Sequence, residues 1–111
     1  MNYNQKKFRP ISNSSNGEVS SEMIFVYEQI NDLVFCSYQG EKIIKGHLIG
    51  KVDGEGNIDM RYHQVNSSGE MQTGICTSTP EILPNGKIRL YEKWKWTSGD
   101  FSAGESILEE I

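Results

Sequence analysis

From Ile88 to Trp96 the chain reads IRLYEKWKW. Ile88, Leu90, Glu92, Trp94 and Trp96 share one parity, and Arg89, Tyr91, Lys93 and Lys95 share the other. Alternation with period two is the mark of a half-buried strand, whose successive side chains point to opposite faces. The same pattern recurs. Over Ile43–Val52 one parity holds Ile44, Gly46, Leu48, Gly50 and Val52, and the other Ile43, Lys45, His47, Ile49 and Lys51. The first set is the expected interior. Over 57–66 the inward set is Ile58, Met60, Tyr62 and Gln64, with Asp59, Arg61, His63 and Val65 facing out. Over 33–39 it is Val34, Cys36 and Tyr38, less sharply because Leu33 and Phe35 are apolar too. Two further segments, 23–30 and 71–79, carry apolar residues on both parities and do not declare a face.

Gly, Asn, Asp and Ser punctuate the chain between these segments, at 13–17, Asn31-Asp32, Gly40-Glu41, 53–56, 67–69, Pro84-Asn85-Gly86 and 98–104. Asn-Gly accepts the positive φ angles of a tight hairpin, so the turn at Asn85-Gly86 is the strongest of the set. Eight strands are predicted, over 7–12, 23–30, 33–39, 43–52, 57–66, 71–79, 87–97 and 105–110. Short, evenly spaced strands with hairpin-length connections make an antiparallel meander, and eight of them lose their edges by closing into an up-and-down barrel. The fold class expected is therefore all-β, an eight-stranded antiparallel up-and-down meander barrel. It spans residues 1–111 as one domain, with Met1 to Lys6 disordered. A helix competes over Met23–Val34, where Met23, Tyr27, Ile30 and Val34 form a stripe and Ser15 and Glu18 offer a capping box upstream. The density of β-branched and aromatic residues, and Asn31-Asp32 at hairpin spacing, favour strands.

Composition removes several functions. The chain has 111 residues, 11 Lys and Arg against 15 Asp and Glu, and a net charge of −4. Nucleic acid and anionic membranes call for a basic face, which is lacking, so neither is an expected partner. The start, MNYNQKKFRP, has no apolar run after its charges, and no stretch approaches a membrane span. Cys36 and Cys76 lie far apart in apolar segments without zinc spacing, and read as reduced core residues of a cytoplasmic protein. No nucleophile elbow appears, and Gly54-Glu55-Gly56 lacks the strand–loop–helix context of a phosphate loop. His47 and His63 lie on different strands and make no metal signature. No cofactor, metal or catalytic residue is expected.

The inward set is not purely apolar. Tyr38, Tyr62, Gln64, Glu92, Trp94 and Trp96 converge there, and aromatic walls with a few polar groups describe a ligand pocket. They equally describe a core whose polar groups satisfy one another. An unpartnered buried carboxylate costs several kcal/mol. Glu92 must then be paired with Tyr62, Gln64 or Tyr38, be protonated, or lie near a wet barrel mouth. The tryptophans are either solid core or pocket wall.

The stretches GHLIG (Gly46–Gly50), GNIDMRYHQVN (Gly56–Asn66) and EKWKWTSGD (Glu92–Asp100) resemble a family of small bacterial proteins of about this length. The resemblance runs from near the N-terminus to SILEE at Ser106–Glu110. Members often carry the label N-acetylglutamate synthase-like, and the family is similar in fold to avidin and other calycin-type barrels. The resemblance implies an avidin- or lipocalin-like barrel with a lumen. It supplies no catalytic residues. An acetyl-CoA enzyme places its pyrophosphate on a glycine-containing turn opening a helix, and the chain shows no such turn. Three readings follow. The barrel binds a small, partly apolar molecule through Tyr38, Tyr62, Gln64, Glu92, Trp94 and Trp96. Alternatively Glu92, tuned by burial, performs acid–base chemistry in that pocket, or the chain is the N-acetylglutamate synthase-like enzyme that the family label implies. Or the barrel is solid and pairs into a homodimer through Ile43, Ile49, Val65 and Tyr91 on its outer face.

Overall fold

A computed structural model describes residues 1–17 and 22–111. Nine strands form one antiparallel sheet: β1 (Lys7–Asn13), β2 (Phe25–Val26), β3 (Glu28–Ile30), β4 (Leu33–Tyr38), β5 (Ile43–Val52), β6 (Ile58–Asn66), β7 (Met71–Ile82), β8 (Ile88–Trp96) and β9 (Ala103–Glu110). Their order is β2-β1-β9-β8-β7-β6-β5-β4-β3. The sheet curls into a nearly closed barrel, and no helix occurs among the described residues. Eight strands were expected. The ninth arises because the second segment breaks at Tyr27: Phe25 and Val26 pair with β1, whereas Glu28 to Ile30 pair with β4. One broken segment thus bridges both edges of the sheet. Met23–Ile30 is extended rather than helical, and Glu18, half of the alternative capping box, lies outside the described residues.

Period-two patterning places the core as read on β4, β6 and β8. Val34, Cys36, Tyr38, Ile58, Met60, Gln64, Ile88, Leu90, Trp94 and Trp96 are all buried. On β5 the start is different. Ile43 is buried and Ile44 is exposed, the reverse of the expected parity, because the β5–β6 register shifts between Ile43 and Lys45. A bulge adds one residue and flips every side chain on one side of it. From Gly46 onward the expected parity holds. Ile43 therefore leaves the proposed self-association face. Ile49 and Tyr91 remain exposed on it and Val65 is half-buried. On the same outer wall Arg61 pairs with Asp59 at 2.8 Å, and His47 and His63 meet edge-on across the β5–β6 ladder.

The turn after β7 is also built differently. Only Gly86 of the Asn85-Gly86 pair has positive φ (83°). Gly86 N–H donates to Leu83 C=O at 2.9 Å and Leu83 N–H to Lys87 C=O at 2.8 Å, a type I turn followed by a left-handed residue. The same bonding recurs at Asp53–Asn57 and Asn66–Glu70.

The N-terminal six residues, expected to be disordered, instead stop one end of the barrel. Tyr3 is completely buried, its hydroxyl donates to Gly56 C=O at 2.5 Å, and its ring packs with Phe8 and Tyr27. Gln5 N–H donates to Tyr27 C=O and Tyr27 N–H to Lys6 C=O, so this segment is stitched to the break between β2 and β3. A single tyrosine in a polar stretch gives no periodic signal, which is why its burial is not legible from patterning.

Candidate functional site in the barrel lumen

Antiparallel pairing brings the inward residues of β4, β6 and β8 toward the end opposite the Tyr3 plug. A cavity of about 70 Å³ remains there. Tyr38, Tyr62, Gln64, Glu92, Trp94 and Trp96 all border it, so the six residues singled out from the sequence do converge. Phe25, Tyr27, Cys76 and Ser106 complete much of the wall, and Asn13 and Gly17 lie on it where the chain leaves β1. A water needs about 10–15 Å³ of such space and a benzene-binding cavity has about 150 Å³. The lumen is therefore neither solid nor roomy; it holds a fragment of a few heavy atoms.

Close strand-to-strand approach shapes its walls. Gly46 pairs with Tyr38, Gly74 with Tyr62, and Gly104 with Trp94. In each pair the aromatic ring lies over the glycine, in the volume a Cβ would occupy. The missing side chains let the rings lie against the wall instead of filling the lumen. Tyr62 and Trp96 meet edge-on at 5.5 Å between ring centroids, and Trp94 and Trp96 at 5.7 Å.

Most of the polar groups are spoken for. Tyr38 hydroxyl donates to Gln64 Oε1 at 2.9 Å, and Gln64 Nε2 donates to Gln72 Oε1 at 3.0 Å. Trp94 Nε1 donates to Ser106 Oγ at 2.8 Å, and Ser106 hydroxyl donates to Asn13 Oδ1. Trp96 Nε1 donates to Asn16 C=O at 3.3 Å.

Glu92 is not tied to Tyr62, Gln64 or Tyr38, the partners considered from the sequence. Its Oε2 accepts from the hydroxyl of Ser78, directly opposite on β7, at 2.5 Å. Ser78 is wholly buried. The residue Glu92 keeps some accessible surface, since it borders both the lumen and a shallow outer groove with Thr77 and Tyr91. Its carboxyl is nevertheless enclosed. Loss of hydration pushes its pKa up to about 7, and the Ser78 hydrogen bond only partly offsets that. Among the described residues no Lys, Arg or His lines the cavity to neutralise it.

Tyr27 is the second unusual group. Its side chain is fully buried, and its hydroxyl has no hydrogen-bond partner among the described residues. Burial raises its pKa far above the ordinary value, with a further push from Glu92. Desolvation likewise raises Tyr38, Tyr62 and Cys76, and lifts the Cys36 thiol to about 12. Both cysteines are free and buried. Among the described residues no group of three or more His, Cys, Asp or Glu is placed to hold a metal ion.

Tyr27 and Ser78 escaped the sequence reading. They lie on the two segments whose parity is ambiguous, where Ile24 and Val26 flank Phe25, and where Thr, Ser and Gly alternate without contrast.

Fold and lumen together define a small antiparallel β-barrel with an aromatic-walled interior and, among the described residues, one acid on its wall. A family model described as Avidin-like protein matches residues 1–111, and the chain belongs to that family. No curated protein and no solved structure matches it.

Proposed function

We propose that the barrel binds a small, partly apolar molecule in its lumen, with Tyr38, Tyr62, Gln64, Glu92, Trp94 and Trp96 as contacts. The observation that carries this is the unfilled cavity bordered by Glu92 and by Tyr27, whose buried hydroxyl has no hydrogen-bond partner among the described residues. A core built only for stability leaves neither space nor an unmet buried hydroxyl, because each costs free energy. Membership of an avidin-like family supports the same reading at the level of fold. Acid–base catalysis finds less support. It calls for a second group titrating near neutrality, whereas Tyr27, Tyr38, Tyr62 and Cys76, which share the wall with Glu92, are all pushed upward. Two buried free thiols agree with work in a reducing, cytoplasmic compartment.

The test uses the two tryptophans, which are the only ones in the chain and both border the cavity. A fragment collection is screened by NMR against the indole N–H signals of Trp94 and Trp96. Saturable shifts of both signals by at least one fragment are expected. Indole signals indifferent to every fragment, in a chain that is demonstrably folded, overturn the lumen reading.

A further inference from the structure

We propose that the lumen receives the ammonium end of a small primary or secondary alkylamine, held between the Glu92 carboxylate and the Tyr27 hydroxyl. This rests on the lumen being a binding site and names what it selects.

Charge is the first argument. Among the described residues Glu92 is the one carboxyl on the cavity wall, and no Lys, Arg or His shares that wall. Ser78, which hydrogen-bonds it, is neutral. A carboxylate taken out of water without a counter-charge is unfavourable by several kcal/mol, and a bound cation removes that deficit. An anionic ligand would add a second negative charge beside the first.

Donor count is the second. The hydroxyl of Tyr27 has no hydrogen-bond partner among the described residues, and the Ser78 bond to Glu92 engages Oε2. An ammonium carrying two or three N–H bonds can donate to both residues at once. An alcohol can reach both with its one donor and its acceptor lone pairs, but brings no charge to offset the carboxylate. A quaternary ammonium has the charge but no donor, and leaves the buried Tyr27 hydroxyl unmet.

The walls supply the third. The faces of Tyr and Trp rings attract cations, and more strongly where water is excluded. Tyr27, Tyr38, Tyr62, Trp94 and Trp96 all border the space into which Glu92 reaches. A cavity of about 70 Å³ admits the ammonium and its first carbons.

The experiment titrates the full chain, at physiological salt, with n-propylammonium, with 1-propanol and with tetramethylammonium, reading tryptophan fluorescence. It is run near pH 8.5, where Glu92 is ionised and the amine still protonated, and near pH 5.5, where Glu92 is protonated. At pH 8.5 n-propylammonium is expected to bind about tenfold or more tighter than 1-propanol and tetramethylammonium. Its affinity is expected to fall about tenfold at pH 5.5, since the titratable groups that share the described cavity wall with Glu92 (Tyr27, Tyr38, Tyr62 and Cys76) stay neutral at both values. Glu92→Gln, which keeps the Ser78 hydrogen bond possible, should remove the preference for the amine over the alcohol. Tyr27→Phe should weaken the amine about threefold to tenfold and leave the alcohol unchanged. If 1-propanol binds as well as the amine, or Glu92→Gln and low pH leave amine binding intact, the ammonium assignment is wrong while the lumen remains a binding site. If no probe changes the fluorescence at either pH, both fall together. The pH arm uses the natural sequence, so it decides the matter even where a variant fails to fold.

Discussion

Glu92 is a single carboxyl whose surroundings set its proton affinity and, through it, part of the stability of the chain. The folded state holds this proton more tightly than the unfolded state does, because burial raises its pKa to about 7. Folding therefore takes up a proton between the ordinary carboxylate range and neutrality. The stability is full below the unfolded value and declines as pH rises through about 7, then levels off. The shift corresponds to roughly 3 kcal/mol at the alkaline plateau. Glu92→Gln is expected to abolish this decline and to be the more stable chain at pH 8, by up to about that amount. Urea midpoints of both proteins at pH 5 and pH 8 check it. The difference between them isolates Glu92 from the carboxylates paired outside, Glu109 with Arg89 and Glu110 with Lys6. A natural chain whose loss between those pH values matches the variant's shows that the carboxyl is solvated.

Strand pairs explain why these residues find a lumen to face. A glycine on β5, β7 and β9 stands opposite Tyr38 on β4, Tyr62 on β6 and Trp94 on β8 in turn, and each of these rings occupies the space above its glycine. Gly74→Ala puts a methyl group where the far end of the Tyr62 ring lies. That ring can swing only toward the lumen, where Trp96 already meets it. We expect a loss of about 1–3 kcal/mol in stability, as for other overpacked cores, together with weaker lumen binding. Denaturant titration and the tryptophan assay read the two effects. An unchanged midpoint contradicts the close approach. Legibility also belongs to this scale. Strands β6 and β8 alternate sharply and β4 less so, with Leu33 and Phe35 apolar on its outer parity, yet the inward residues of all three, including all six candidate contacts, follow from period two. The segment from Met23 to Ile30 has apolar residues on both parities because it carries a break, and Tyr27 sits at that break. The β5 parity fails at Ile43 because a bulge is a backbone event that side-chain identity does not announce. Ser78 is hidden among Thr and Ser of similar polarity, and only its register opposite Glu92 gives it a role.

At the scale of the molecule the barrel has one stopped end. Tyr3, Phe8 and Tyr27 pack ring against ring there, and the hydroxyl of Tyr3 caps Gly56 C=O. Tyr3→Ala removes a wholly buried ring and should cost about 3–5 kcal/mol. Thermal or chemical unfolding measures it, and a loss below about 1 kcal/mol would mean that the N-terminal segment does not hold the stopper in place.

Tyr27 has a further consequence. Everywhere else the wall is held by ladders of several residues, but at the seam β2 contributes two and β3 three. The residue between them closes the cylinder through its backbone and offers the lumen an unanswered hydroxyl through its side chain. A guest that engages that hydroxyl is thereby fastened to the clasp of the cylinder. Filling the barrel and buttoning it shut become one event, and an empty barrel is the one whose seam gives way first.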